Sequence, residues 1–117
     1  LDQVLVIDLS QIKIYGKNKH GLPGGHMEEN ETPDQTIARE IKEECGITAT
    51  NLKRADFFIT NYGKVVLAYI GTANNDNIKS EQDGLEGIPK WVTKSEFEKI
   101  NIDENYYKFV LENWPSK

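Results

Sequence analysis

Three glutamates stand at positions i, i+3 and i+4 of one segment: Glu40, Glu43 and Glu44. Thr32 is a favourable N-cap, Pro33 suits the first helical position, and Gly46 suits a left-handed stop. The sequence therefore predicts a helix that begins after Thr32 and ends at about Cys45. On such a helix the three carboxylates share one arc, and each close pair costs about a few tenths of a kcal/mol in repulsion. We therefore expect a divalent cation at this face.

The neighbouring arc of the same helix is apolar. Ile37, Ala38, Ile41 and Cys45 fall within about 100° of one another, which predicts a core-facing stripe beside the acidic one. An acidic helix face by itself is more often just solvated. The residues around the three glutamates must therefore show whether this face binds a metal or is only solvated.

The ligand chemistry points to a hard cation. Carboxylate oxygens suit Mg²⁺, Mn²⁺ or Ca²⁺, whereas a zinc site would need a Cys/His cluster that the sequence lacks. Mg²⁺ keeps several waters and expects phosphate oxygens to complete its shell. The glycines of residues 21–25 also let the backbone approach a ligand closely. The sequence thus predicts a metal site that serves a phosphate-bearing substrate.

Composition limits the possible classes of protein. With 117 residues, 38% of them apolar and 28% charged, the chain suits one globular domain over residues 1–117. A net charge of −5 argues against a DNA-coating protein, and no apolar run approaches the roughly 20 residues of a membrane span. Cys45 is the single cysteine, which favours a reducing cytoplasm.

The elements around the acidic helix alternate between strand and helix patterns. Strands are predicted at residues 4–7, 12–15 and 91–92, a hairpin at 55–60 and 65–70, and a surface loop at 72–84. Thr93 with Glu96 forms a second capping box, and Asp103 caps a helix over residues 104–113 with Tyr106, Phe109 and Val110 buried. We expect His20 and His26 in loops, and Phe57, Phe58 and Trp91 in the core. The fold class is α/β, with a mixed sheet between helices.

Residues 25–47 closely resemble the Nudix box of a hydrolase family. The match holds at every defined position: Gly25, Glu31, Arg39, Glu40, Ile41, Glu43, Glu44, Gly46 and Ile47. Seven fixed identities would match by chance about once in 10⁸ windows. Asn30 stands where the box often has glycine, and asparagine tolerates a left-handed backbone better than most residues. The resemblance implies the family's α/β/α sandwich.

The resemblance also implies roles for individual residues. Glu40, Glu43 and Glu44 would hold Mg²⁺, with Mn²⁺ as a substitute, helped by the main-chain carbonyl of Gly25 or Gly24. Arg39 would pair with Glu31 or Glu43 and fix the loop. Water would attack a phosphorus atom, and the metal would neutralise the phosphate oxygens. The general base would be a box glutamate, including Glu43 or Glu44, or a downstream residue, Glu81 or Glu86.

Substrate contacts are less well defined than the metal site. The basic residue that the family usually carries late in the second strand is missing, and Lys17 and Lys19 are the candidate substitutes. Tyr62, at the predicted hairpin tip, lies near where relatives that cleave diadenosine polyphosphates carry a tyrosine. The expected partner is a small nucleotide, bound by a monomer or a homodimer.

Three functions fit these observations. The first is a house-cleaning pyrophosphohydrolase that acts on nucleoside triphosphates. The second is a hydrolase of a dinucleoside polyphosphate, ADP-ribose or a sugar nucleotide. The third is a nucleotide sensor without turnover. Such sensors typically lose box carboxylates, and this chain keeps all of them.

Overall fold

The computed structural model of the chain describes residues 3–10, 19–59, 63–79 and 87–114. The strands are β1 (Gln3–Asp8), β2 (Lys19–Gly21), β3 (Ala49–Ile59), β4 (Val65–Ala73), β5 (Ile88–Thr93) and β6 (Asn101–Ile102). The helices are α1 (Pro33–Cys45), α2 (Lys94–Phe97) and α3 (Glu104–Glu112). The strand predicted at residues 12–15 lies outside the described residues. None of the described helices combines the length and the apolar character that crossing a membrane requires.

The first sheet has four strands in the order β5-β1-β2-β6. β1 runs antiparallel to both neighbours, whereas β2 and β6 are parallel, so the predicted mixed sheet is confirmed. Val6 and Ile7 point to opposite faces of β1, and both are buried. This burial explains why residues 4–7 form a continuous apolar run, which is typical of a strand covered on both sides. His20 lies in β2, so the loop expected there is wrong.

The second sheet is the hairpin β3–β4. Phe57 lies opposite Leu67 and Ile59 opposite Val65, which confirms the predicted pairing of apolar strands. Both strands are longer than predicted, and β4 extends into residues 72–73, which were expected to belong to a loop. Ala73 in this extension is half-buried, whereas Thr72 is polar and exposed and pairs with Thr50, whose Oγ1 donates to the Thr72 carbonyl at 3.2 Å. Such a pair carries no apolar alternation for a sequence pattern to detect.

Helix α1 has both of the predicted ends. Thr32 and Gln35 form the capping box, in which each side chain accepts from the other residue's backbone N–H. At the other end Gly46 has φ 72° and donates its N–H to the carbonyl of Lys42. A Cβ at Gly46 would also overlap the backbone carbonyl of Lys79, so this position requires glycine twice over.

Two apolar clusters hold the layers together. The larger cluster packs α2 and α3 against strands of both sheets and consists of Val6, Ala68, Val92, Phe97, Phe109 and Val110. The hairpin joins it through Phe58, whose ring centroid lies 5.7 Å from that of Tyr106 and 6.4 Å from that of Phe109. The second cluster, Ile7, Cys45 and Ile47, joins α1 to β1, with Trp91 packed against it. Phe58 and Trp91 are half-buried and pack against these clusters as predicted. On α3 the predicted burial of Phe109 and Val110 is confirmed, whereas Tyr106 is only half-buried.

Candidate functional site

The site is built from α1 and the preceding segment, residues 24–32, which we call the box loop. A tight turn closes this loop, because Glu31 N–H donates to the carbonyl of Glu28 and Glu28 N–H donates back to Glu31 Oε1 at 2.9 Å. Asn30 has φ 66° in the middle of the turn. The left-handed backbone expected at this position is therefore present, and asparagine supports it in place of glycine.

Arg39 ties the box loop to the helix. Its Nε and Nη2 bind both oxygens of Glu31 at 2.5 and 3.1 Å, a bidentate pair. Its Nη1 donates to Glu40 Oε2 and Glu43 Oε1, each at 3.2 Å. Nη2 also donates to the carbonyl of His26 at 3.1 Å. Both predicted partners, Glu31 and Glu43, are thus bound at once, and the planar guanidinium suits this multiple role.

The same contacts set the protonation of the pair. The hydrogen bond from Arg39 is the main reason why the pKa of Glu31 falls from 4.5 to about 2. In turn the hydrogen bond with Glu31 raises the pKa of Arg39 above its usual range. Glu31 is therefore a carboxylate and Arg39 a cation across the whole working range of pH.

Glu40 lies directly against the backbone of Gly25. A Cβ at Gly25 would overlap all three atoms of the Glu40 carboxyl group. A side chain at position 25 would therefore displace the Glu40 carboxyl group. The Glu40 side chain is only 12% exposed, so its carboxylate is enclosed between the loop and the helix.

Glu44 is buried, at 8% exposure, although the sequence placed it on a face open to solvent or metal. Its Oε1 accepts the N–H of Gly24 at 3.0 Å. Beside it, burial and, to a lesser extent, the Glu44 charge raise the pKa of the Cys45 thiol to about 12. Ala38, which was predicted to be buried, is exposed. The covered arc of α1 is therefore rotated toward Glu44, because the box loop packs on that side.

The donor atoms suit a divalent metal in their chemistry, since Glu40, Glu43, Glu44 and the backbone of the box loop all offer oxygens along one side of α1. Within the described residues, however, no three His, Cys, Asp or Glu side chains converge into a ready metal cluster. Glu43 contacts Arg39 and Glu44 contacts Gly24 N–H. The metal roles of Glu40, Glu43, Glu44 and Gly25 stay predictions.

Not all of the predicted site residues lie within the described part of the chain. Lys17, Tyr62, Glu81 and Glu86 lie outside the described residues. Lys19 opens β2, where its backbone pairs with Asn101. The described residues on either side of the segment that carries Glu81 and Glu86 are Lys79 and Gly87, and each contacts the rest of the fold.

At one end of that segment Lys79 N–H donates to the carbonyl of Cys45 at 2.7 Å, at the C-terminus of α1. At the other end, Gly87 lies so close to Ile7 that an added Cβ would overlap its side chain.

The hairpin presents an apolar face that the sequence analysis did not assign to the site. Phe57, Ile59, Val65 and Leu67, here called the hairpin patch, share one face and are 38–64% exposed. Phe57 was expected in the core, and this is wrong. The signal was available: residues 57–59 and 65–68 are apolar at every position, so both faces of the hairpin are apolar and only one faces the core.

Two contacts join the hairpin to α1 and the box loop. Tyr69 lies on the same face as the hairpin patch, and its hydroxyl donates to Asp34 Oδ1 in the first turn of α1 at 2.5 Å. Near the turn, Lys64 Nζ lies 3.0 Å from Nε2 of His26 in the box loop. The hairpin patch therefore lies on the side of the hairpin that these contacts fix to the box loop and α1.

The fold and the site together define an α/β domain with an acidic helix face that an arginine braces against a glycine-bearing loop. Residues 2–112 match the NUDIX domain family. The chain belongs to the Nudix family, as its box predicted.

Comparison with individual proteins agrees. An 8-oxo-dGTP diphosphatase of Haemophilus influenzae is 35% identical over 72 residues, which are 60% of this chain and 52% of that protein. The chain thus spans about half the length of this curated relative.

Solved structures agree in fold. A NUDIX-family hydrolase from Clostridium perfringens has a TM-score of 0.77 at 24% identity, over 96% of this chain and 87% of that one. A structure from a study of MutT from Aliivibrio salmonicida and Vibrio cholerae has a TM-score of 0.72 at 20% identity, over 95% and 85% of the two chains.

Proposed function

We propose that this chain is a metal-dependent pyrophosphohydrolase of nucleoside triphosphates with a house-cleaning role. The observation that carries the proposal is the Arg39 network, which holds the box loop against the acidic face of α1 and keeps Glu40 at Gly25. The similarity to an 8-oxo-dGTP diphosphatase supports a triphosphate substrate. Nudix hydrolases generally depend on a divalent metal.

Mg²⁺ is the proposed metal, with Mn²⁺ as its substitute, because all the candidate donors are oxygens. Glu40, Glu43, Glu44 and the Gly25 carbonyl would hold it, and when bound it would neutralise phosphate oxygens and activate water. Arg39 keeps these groups in register rather than touching the substrate, because carboxylates and the His26 carbonyl accept from its nitrogens. The proton acceptor is a box glutamate or Glu81 or Glu86.

The hairpin patch is the proposed surface for the nucleobase. It is apolar and exposed, lies beside the box loop, and includes Phe57, which is 64% exposed. A base stacked on an aromatic ring gains about 1–3 kcal/mol. We propose that the substrate spans the hairpin and the box loop, with its base on the hairpin patch and its phosphates at the box loop.

The decisive experiment is a panel of nucleoside triphosphates, dinucleoside polyphosphates, ADP-ribose and sugar nucleotides with Mg²⁺ or Mn²⁺. The expected result is release of pyrophosphate from a nucleoside triphosphate. Glu43→Gln and Glu44→Gln should each lower kcat by about 100-fold, since such a loss costs ~3 kcal/mol. Turnover of an ADP-linked compound alone would contradict the triphosphate assignment. Binding of nucleotides without any turnover would indicate a sensor instead.

The base surface has its own test and a matched control. Phe57→Ala should raise KM for accepted substrates by about tenfold, in keeping with a stack of ~1–3 kcal/mol. Ile70→Ala removes a side chain that is also partly exposed, at 39%, but alternates to the other face of β4, so it should leave KM unchanged. Equal effects of the two substitutions would contradict the assignment of the hairpin patch.

We also propose a partner, an oligomeric state and a cellular location for this chain. The proposed partner is a small nucleotide, and the proposed state is a monomer or a homodimer. The single cysteine of the chain is buried, which is in keeping with the proposed cytoplasmic location.

A further inference from the structure

Lys64 reaches the box loop from the hairpin. Its Nζ lies 3.0 Å from Nε2 of His26, and both residues are exposed. His26 follows Gly25, and its carbonyl accepts from Arg39 Nη2 at 3.1 Å. The loop is therefore fixed to α1 at this residue, and Lys64 brings an ammonium group to the loop that carries Gly25.

The carboxylates around Arg39 carry more negative charge than this one arginine neutralises. Arg39 is within 4 Å of four carboxylates, those of Glu28, Glu31, Glu40 and Glu43. One guanidinium against four carboxylates leaves three negative charges, and a triphosphate adds more. A divalent ion offsets only two of them. Because these negative charges repel an incoming anion, a further positive group at the loop would favour binding.

We propose that Lys64 and His26 form an anion subsite that takes the terminal phosphates of the substrate. The proposal rests on the proposed function and names the residue that supplies the missing basic contact. Lysine binds phosphate as a point charge with three donors. Lys64 Nζ, which contacts the imidazole here, turns its donors to phosphate oxygens when the polyphosphate enters. Lys64 thereby selects for the number of phosphates.

Direct binding tests the subsite without catalysis. The probe is inorganic tripolyphosphate with Mg²⁺, followed by calorimetry. Lys64→Gln should weaken its Kd by about tenfold, or ~1.4 kcal/mol, whereas Lys64→Arg should retain most of the affinity. Lys53→Gln is the matched control, because Lys53 is also exposed on the hairpin and pairs with Ile70, away from the turn. The difference should shrink at high salt.

Kinetics distinguish phosphate binding by Lys64 from a purely structural role of this residue, because a structural role would not change KM differently for triphosphates and diphosphates. Lys64→Gln should raise KM for a nucleoside triphosphate by about tenfold and for its diphosphate by less, with kcat nearly unchanged. Equal Kd values for wild type and Lys64→Gln would overturn the subsite, as would an equal loss in Lys53→Gln or no tripolyphosphate binding by wild type. If wild type binds tripolyphosphate through Lys64 but hydrolyses no nucleotide, the subsite stands and the proposed function fails.

Discussion

Replacing Glu44 by alanine should destabilise the fold clearly more than replacing Glu43. Glu44 is 8% exposed and accepts Gly24 N–H at 3.0 Å, so Glu44→Ala leaves a part-buried amide without its acceptor. Loss of such a bond costs about 1–3 kcal/mol. The Glu43 side chain is 37% exposed and pairs with Arg39 across one helical turn, a contact worth roughly 0.3–0.5 kcal/mol. Both substitutions change helix propensity equally, so that effect cancels in the comparison.

For a domain of this size 1 kcal/mol corresponds to roughly 3–6 °C in Tm. Glu44→Ala should therefore lower Tm by about 3–18 °C, and Glu43→Ala by no more than about 3 °C. Thermal and urea unfolding, followed by circular dichroism in EDTA, measures this difference without any metal contribution. Glu44→Gln keeps an oxygen for Gly24 and should recover most of the loss. Equal destabilisation by the two alanine substitutions would refute the burial argument.

Three further predictions concern the same region. The pKa of Glu31 lies at about 2, below its ordinary 4.5, so its stabilising effect is complete above about pH 4.5 and is lost as pH falls toward 2. Glu31→Gln should therefore weaken the dependence of folding stability on pH between about 4.5 and 2. An NMR titration of the Glu31 carboxyl group with a midpoint near 4.5 would contradict this prediction. Gly25→Ala should lower kcat by displacing Glu40, and it should cost nothing more in a Glu40→Ala background, whereas additive losses would exclude this coupling. The Cys45 thiol should stay unreactive toward a disulfide reagent at pH 8 until urea unfolds the chain, and fast labelling of the native state would show that the thiol is accessible.

The elements that were predicted well have local causes. Both ends of α1 follow from residues within one turn of each end: Thr32 with Gln35, and Gly46. Thr93 with Glu96 and Asp103 start α2 and α3 in the same way. Capping chemistry needs only neighbours in the chain, so a sequence pattern can detect it.

Features that were missed depend on contacts between distant residues. Glu44 is buried because Gly24, 20 residues earlier, covers it, and helical phase alone cannot locate that boundary. Phe57 and Phe58 are equally apolar neighbours, and only the position of α3 decides that Phe58 packs inward. The pairing of Arg39 with Glu31 was foreseen from the family pattern. The contact of Lys64 with His26, 38 residues apart, had no signal in the sequence.

The hairpin β3–β4 forms its own two-stranded sheet. In the part of the chain that the structure describes, no backbone ladder ties it to the four-stranded sheet. Its links to α1 and the box loop include two side-chain contacts, Tyr69–Asp34 and Lys64–His26. Separating the hairpin from the box loop would break these two contacts and disturb the packing of Phe58 and Ala68 in the larger cluster, but it would leave the β-ladders of the described residues intact. The hairpin patch can therefore shift relative to α1 without remodelling the helix that carries the three glutamates.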